Sequence, residues 1–312
     1  MSETLKSEAT GSGVVWLNGE FVDRGDAQVS AFDAGLQHGI GLFETMLAVG
    51  GGVFRLDAHM ARMAESARVL GLSEKLRGKA LGDAIKACVE RAGLDRARIR
   101  ATVTGGDLNM LADRAGGGVA DPTVLIEVKR ATEYPEAMFT RGVGVVIADW
   151  RANPLDPFEG HKTLRYWPRL RELQVAASKQ AAEAIVLQVS NHVASGCVSS
   201  VFAVKDGQLI TPIARGEEES TGAQIPSPVL PGVTRAVILE WAESIGMPVV
   251  KKMCAVAELL DADEVFLTNS SWGVLPVVRI ESGVVGSGEI GAVTGEARAH
   301  WLDAMARETG LG

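Results

Sequence analysis

The sequence predicts an α+β fold in two domains, and three observations carry that prediction. Candidate strands and helices are mixed in both halves, without the regular alternation of a doubly wound sheet. The chain has 312 residues, which is about two domains of ordinary size. Apolar residues make up 46% and charged residues 22%, enough to build a substantial core.

The elements follow in chain order. Met1 to Gly13 is polar and reads as a flexible N-terminus. Val14 to Asn18, Gly19-Glu20 and Phe21-Val22 form an opening hairpin, and Leu42 to Val49, Gly50-Gly51-Gly52 and Val53 to Leu56 form a second. Asp57 then starts a helix, because Met60, Met63, Ala64, Ala67 and Leu70 recur at helical spacing before Gly71 stops it. Ser73 caps the next helix, which runs to about Arg91 with Leu81, Ala84, Ile85 and Cys88 inward. Ile99 to Thr104 and Thr123 to Lys129 are strands, and the glycine-rich Gly105 to Val119 between them is a loop long enough to be a lid.

Val143 to Ala148 is a strand, followed by a Pro- and Gly-containing connection, Asp149 to Gly160. A helix covers Pro168 to Gln180. Ala184 to Val189, Val201 to Val204 and Gln208 to Ile210 are strands, the last two joined by an Asp206-Gly207 turn. Val237, Ile238, Trp241 and Ile245 share one face of a helix over Thr234 to Ile245. Val265 to Thr268 and Val277 to Glu281 are strands, and Thr294 to Arg307 is the closing helix. The division that results is 1–13 as the flexible N-terminus, 14–148 as a smaller N-terminal domain, 149–160 as the connection and 161–312 as a larger C-terminal domain.

Several function classes drop out. A net charge of -8 with no basic tract argues against a nucleic-acid tracker. No run approaches the roughly 20 apolar residues of a membrane span, so a soluble, cytoplasmic protein is expected. Three scattered cysteines, Cys88, Cys197 and Cys254, form no disulfide framework and point to a reducing compartment. Five histidines show no metal-ligand spacing, so no metal site is expected. The glycine motifs lack both the dinucleotide order and the phosphate-loop lysine, and no Gly-x-Ser-x-Gly elbow is present.

Three places have chemical content. Pro231-Gly232-Val233-Thr234-Arg235 opens a helix and reads either as an ordinary threonine cap or as an anion site built on first-turn amides. Thr268-Asn269-Ser270-Ser271 follows a strand and reads as a turn or as further phosphate contacts. Lys162 acts as a nucleophile only if it is desolvated or lies beside another cation, with His161 and Arg165 its sequence neighbours; a solvated side chain is the plain alternative.

Those places fall into the order of a known family. Asp33-Ala34-Gly35-Leu36-Gln37-His38-Gly39-Ile40-Gly41-Leu42-Phe43-Glu44-Thr45 and Leu56-Asp57-Ala58-His59-Met60-Ala61-Arg62-Met63 come first, then Lys162-Thr163-Leu164-Arg165-Tyr166. Val201 to Gly207, Thr211-Pro212, Pro231 to Arg235 and Asn269 to Val277 complete the set. From Trp16 to about Val278 the chain resembles the fold-type IV pyridoxal-phosphate enzymes, which include branched-chain aminotransferases, D-amino-acid aminotransferases and aminodeoxychorismate lyase. The resemblance implies pyridoxal 5'-phosphate bound covalently at Lys162, with phosphate contacts from Arg62, Val233, Thr234 and Ser270, and with Tyr166 facing the cofactor. It puts His38, Arg165 and Ser271 on the substrate side, and it implies a homodimer with the cofactor between the two domains of each chain.

The departures bear on the reaction. Where the family sets a glutamate against the pyridine nitrogen, this chain has Ser195, in Ser195-Gly196-Cys197-Val198-Ser199-Ser200. A hydroxyl is neutral and only hydrogen-bonds, so the nitrogen is expected to stay largely unprotonated and the ring to withdraw electrons less strongly. Transamination suffers more than elimination, in which a leaving group drains the charge. His38 stands where tyrosine is usual and Ile40 where aspartate often sits. Thr104-Gly105-Gly106 lacks an arginine, and Arg165 replaces asparagine, where it binds a carboxylate or lowers the pKa of Lys162. The expected function is a class IV aminotransferase acting on a small amino acid and 2-oxo acid pair. The alternatives are aminodeoxychorismate lyase or a similar β-elimination, and a non-catalytic dimeric relative.

Overall fold

The computed structural model describes residues 13–73, 76–107, 122–221 and 225–311. The expected flexible N-terminus, but for Gly13, and most of the expected Gly105 to Val119 lid lie outside them. The chain divides into two compact units. The first comprises Met1–Thr132, Lys162–Arg165 and Met305–Gly312; the second comprises Glu133–His161 and Tyr166–Ala304.

The first unit holds β1 (Val14–Leu17), β2 (Glu20–Val22), α1 (Ala34–His38), β3 (Gly41–Val49), β4 (Gly52–Val53), α2 (Leu56–Val69), α3 (Gly78–Ala92), β5 (Arg96–Thr104) and β6 (Val124–Arg130). Its strands form one antiparallel sheet in the order β2-β1-β6-β5-β3-β4. Alternation along β5 turns Ala97, Ile99, Ala101 and Val103 inward, where Met60, Met63 and Ala67 of α2 and Leu81, Ile85 and Cys88 of α3 close the core. The second hairpin strand is shorter than the sequence suggests. Arg55 takes a left-handed conformation (φ 52°), and the helix starts at Leu56. Ser73 does not cap α3 either: its amide bonds Ala67 O at the end of α2, and α3 begins after Arg77.

The second unit holds α4 (Ala137–Thr140), β7 (Val143–Ala152), α5 (Trp167–Ser178), β8 (Glu183–Gln188), β9 (Val193–Gly196), β10 (Ser200–Lys205), β11 (Gln208–Pro212), α6 (Glu218–Thr221), α7 (Val233–Ser244), β12 (Val249–Lys252), α8 (Val256–Leu260), β13 (Glu264–Asn269), β14 (Gly273–Ile280) and β15 (Gly283–Val284); α9 (Ala292–Thr309) closes the chain. A curled mixed sheet runs β12-β11-β10-β13-β14-β7-β8-β9, with β15 beside β14. β7 outruns its expected end because, past a bulge, Arg151 and Ala152 pair again with Leu187 and Gln188 of β8. β9 has no counterpart among the strands expected from sequence, since its small residues show no alternation and all four are buried.

Gly273 opens β14 with φ +75°, and a Cβ there would stand only 2.2 Å from a ring carbon of Trp301, itself 1% exposed. Gly273→Ala combines left-handed strain with an overpacked core, and we expect a loss of about 3 kcal/mol in denaturant unfolding. Gly207 also has a positive φ, but nothing lies within 4 Å of a Cβ there. Gly207→Ala should therefore lose only the strain share, about 1 kcal/mol.

Candidate functional site

Each unit carries its own group of candidate residues. In the first, Asp33 caps α1: its side chain accepts from Gly35 N at 2.7 Å and from the hydroxyls of Thr104 and Thr123 at 2.7 Å each. Burial would raise the Asp33 pKa, but these donors outweigh it and the carboxyl sits below its ordinary value. This ties the start of α1 to the end of β5 and to Thr123, just before β6. His38 is the last residue of α1 and is exposed. Arg165, also exposed, passes close to Gly39, with Cγ 3.7 Å from where a Gly39 Cβ would stand.

Residues 162–165 run as an extra strand segment along β3. Phe43 N donates to Lys162 O at 2.9 Å, Leu164 N donates to Gly41 O at 3.0 Å, and Leu42 bridges Thr163. The segment holds Lys162 half-buried, with Nζ 4.4 Å from the centre of the Phe43 ring. The Arg100 guanidinium lies 3.9 Å from the centre of the same ring. The Phe43 ring is therefore contacted by two cations, Lys162 and Arg100, the second of which sequence adjacency to His161 and Arg165 did not reveal.

Next to Phe43, Glu44 is buried to 1% exposure. It accepts from Arg62 Nε at 2.8 Å and Arg62 Nη2 at 2.7 Å, and it lies 2.8 Å from His59 Nδ1. Burial alone would raise the Glu44 pKa; the Arg62 charge and the His59 contact reverse that and hold the carboxyl well below its usual range. His59 is pushed down, first by burial, against the pull of Glu44. Arg62, one turn along α2 from His59, is thus a guanidinium fork locked on one side by a buried carboxylate.

In the second unit, α7 begins after Gly232, which supplies no side-chain cap. Thr234 is not the cap either. It lies inside the first turn, 2% exposed, and its Oγ1 has no hydrogen-bond partner among the described residues. Thr268 on β13 is likewise buried with an unpartnered Oγ1. Ser200 of β10 neighbours both places: it is the cross-strand partner of Thr268, and its Oγ stands 2.7 Å from where a Gly232 Cβ would be. Buried hydroxyls left unpaired are costly, so a cluster of them at an uncapped helix start is suited to an oxyanion. Arg235 anchors this turn, buried and paired with Glu217. Burial opposes ionisation of Glu217, but its Arg235 and Lys251 partners hold the pKa at about 2.

Ser270 and Ser271 sit half-buried in the β13–β14 turn, which Asn269 holds by accepting from Ser271 N at 2.9 Å and Trp272 N at 3.0 Å. Tyr166, at the start of α5, donates its hydroxyl to Cys197 O at 3.0 Å. One turn on, Arg169 Nη1 donates to Ser195 Oγ at 3.1 Å and Gly196 O at 3.2 Å, while Nη2 meets Glu159 Oε2 at 3.1 Å. Beneath this turn, Glu183 accepts from the amides of Ala184, Cys197 and Val198 and from the Ser199 hydroxyl. Burial raises the Glu183 pKa and those donors draw it back.

Sequence reasoning did not single out Glu44, Arg100, Arg169, Glu183 or Ser200 as functional residues, whereas Thr268 falls in the turn that reads alternatively as phosphate contacts. The buried hydroxyls and the Arg169–Ser195 pair depend on strand register, which no local pattern encodes. No helix of the described residues is long and apolar enough to cross a membrane, and no group of metal-ligating side chains occurs among them.

Comparison with known proteins agrees with the architecture. The family model for amino-transferase class IV matches residues 41–280. A protein of Methanocaldococcus jannaschii is 30% identical over 292 residues, covering 93% of this chain and 95% of its own length. The solved structure of the branched-chain amino acid aminotransferase from Escherichia coli superposes with a TM-score of 0.82 at 27% identity, covering 96% of both chains. The crystal structure of 4-amino-4-deoxychorismate lyase from Pseudomonas aeruginosa gives 0.79 at 29% identity, covering 93% of this chain and 98% of that one. An all-antiparallel sheet in one unit and a curled mixed sheet in the other are the architecture of a fold-type IV pyridoxal-phosphate enzyme. The chain belongs to the class IV aminotransferase family.

Proposed function

We propose that this protein is a pyridoxal-phosphate-dependent aminotransferase that moves an amino group between a small amino acid and a 2-oxo acid. The observation that carries the reading is Lys162, half-buried on the strand segment tied to β3 with its Nζ 4.4 Å from the centre of the Phe43 ring. A lysine partly withdrawn from water against an aromatic ring is placed for the amine chemistry that a desolvated lysine performs. The second unit fits the phosphate of the group, since Thr234 Oγ1 is a buried hydroxyl with no partner among the described residues and the amides at the start of α7 lack a side-chain cap.

Pyridoxal phosphate, when bound, supplies an aldehyde carbon for an amine and a ring that withdraws electrons from it. The protein's own groups do the rest. Arg62, oriented by Glu44, offers its fork to the phosphate, and Val233 and Thr234 offer first-turn amides and a hydroxyl, with Ser270 a further hydroxyl. Ser195 would hold the pyridine nitrogen by its hydroxyl, and Tyr166, fixed to Cys197 O, would line the ring. Lys162 Nζ takes the proton from the substrate α-carbon and returns it one position away. His38, Arg165 and Ser271 receive the substrate carboxylate. The assembly is a homodimer; exposed Phe32 and Leu36, at 67% and 68%, support a covered surface near α1. A cytoplasmic, reducing setting is supported by Cys88, Cys197 and Cys254, all buried free thiols.

A second reading, β-elimination, is favoured by the Arg169–Ser195 pair, which sets a cation rather than a carboxylate behind the hydroxyl. One single-turnover experiment separates them. Cofactor-loaded enzyme is mixed with an amino acid donor and no oxo acid. Transamination consumes the aldehyde absorbance and releases one equivalent of 2-oxo acid. Elimination from aminodeoxychorismate releases pyruvate and leaves the absorbance intact. Neither change, across a panel of donors, overturns both.

A further inference from the structure

We propose that Arg169 is a positioning residue that keeps the cofactor's pyridine nitrogen unprotonated by dictating which way the Ser195 hydroxyl points. The inference rests on the reading above that Ser195 meets that nitrogen. The observation is local to the second unit: Arg169 Nη1 donates to Ser195 Oγ at 3.1 Å, to Gly196 O at 3.2 Å and to Cys197 O at 3.5 Å. An arginine has five N–H donors and accepts nothing. Ser195 Oγ must therefore be the acceptor in this pair, and its own proton is directed elsewhere. Among the described residues it donates to none, and Ser195 is buried to 6% exposure, so its O–H is a donor waiting for an acceptor. A pyridine nitrogen takes such a hydrogen bond only through its lone pair, that is, without a proton.

The charge acts in the same direction. A guanidinium behind the hydroxyl disfavours a second positive charge on the ring, the reverse of what a carboxylate does. Arg169 is itself well anchored. Nη2 pairs with Glu159 Oε2 at 3.1 Å, and the guanidinium carbon lies 5.3 Å from the Trp150 ring centre. Other charged and titratable groups packed around this turn are engaged. Glu183 accepts from three amides and the Ser199 hydroxyl, and Glu172 accepts from Asp149 N and Arg171. Tyr166 donates to Cys197 O, and the Cys197 thiol is pushed up, first by burial and next by Glu183. Neither Glu183 nor Glu172 has a hydrogen bond to Ser195 among the described residues, and Arg169 is the cation bonded to it.

The test reads the nitrogen directly. Holoenzyme is prepared with pyridoxal phosphate carrying nitrogen-15 in the ring, and its resonance is followed from about pH 8 to about pH 5.5, the range over which a shifted ring nitrogen would titrate. Wild type is expected to keep the unprotonated resonance throughout. Arg169→Gln is expected to bring a titration midpoint into the range, higher than that of wild type by about one to two pH units. Arg169→Lys, which keeps the charge, should restore the wild-type behaviour, whereas a purely architectural role would make both variants alike. Should Arg169→Gln fail to fold, Arg169→Met, which keeps the side-chain length against the Trp150 ring but neither charge nor donors, carries the same expected rise in midpoint. A protonated nitrogen in wild type near neutral pH, or identical midpoints in wild type and Arg169→Gln, overturns the proposal while leaving cofactor binding intact. A chain that forms no adduct with the cofactor at Lys162 overturns the reading on which it rests, and that outcome is visible before any resonance is recorded.

Discussion

Lys162→Ala is expected to abolish turnover, with a rate at least about a thousandfold below wild type. It should also remove the site at which borohydride fixes the cofactor, so peptide mapping of the reduced variant yields no adduct. The side chain is only half-buried and sits against the Phe43 ring, so folding should be nearly unaffected. A variant that stays folded, still binds pyridoxal phosphate through the phosphate contacts and has lost both chemistry and covalent capture separates the lysine from the rest of the site. Retention of a reducible adduct on another residue would show that Lys162 is not the attachment point.

The second large effect falls on Glu44. Its carboxylate is 1% exposed and holds two nitrogens of Arg62 besides touching His59. Removing one partner of a buried pair leaves the other charge without compensation, so Glu44→Gln should cost about 3 kcal/mol in stability. Cofactor affinity should fall as well, because Arg62 loses the group that orients it. The pH dependence carries a definite sign. Both Glu44 and His59 have folded-state pKa values depressed below their ordinary 4.5 and 6.5. Each therefore contributes stability that is complete above its ordinary value and is lost as pH falls through the folded one. Wild type should begin to lose stability below about pH 6.5 through His59 and lose more below about pH 4.5 through Glu44. The gap between wild type and Glu44→Gln should be widest above pH 4.5 and narrow below it, which urea unfolding at a series of pH values will read. A gap that widens on acidification would contradict the assigned direction.

Much of this was legible in the sequence. The helical spacing of Met60, Met63 and Ala67 and the alternation around Ile99 gave the first unit its core, because burial on one face leaves a period that survives in the chain. Arg62, Lys162 and Thr234 stood out because they sit in ordered motifs. Glu44 was inside such a motif and still received no role, since its partners come from the next helix, 15 and 18 residues away, and a strand glutamate looks like any other. Arg169 reads in sequence as one of several charges on an amphipathic helix. Its contact with Ser195, 26 residues on, exists only because α5 and β9 are brought together by folding. Thr234 was ambiguous between cap and ligand. The structure resolves the cap question by placing Gly232 at the cap position and leaving the threonine hydroxyl without a protein partner among the described residues.

The composition of the first unit governs how the chain is made. It is assembled from three separate stretches, and the last of them, Met305–Gly312, lies beyond the second unit in the chain. Glu308 pairs with Arg55, and Thr309 and Leu311 press against the turn at Gly50 and Gly52. During synthesis the residues that seal this unit therefore follow the whole second unit, and its early strands wait, partly formed, while that unit is produced. The lysine segment arrives midway, so the nascent first sheet has its chemistry delivered to it before its own closure is complete. Without residues 305–312 the chain would keep the motifs up to Val277 and lack the clasp that finishes the unit holding Lys162.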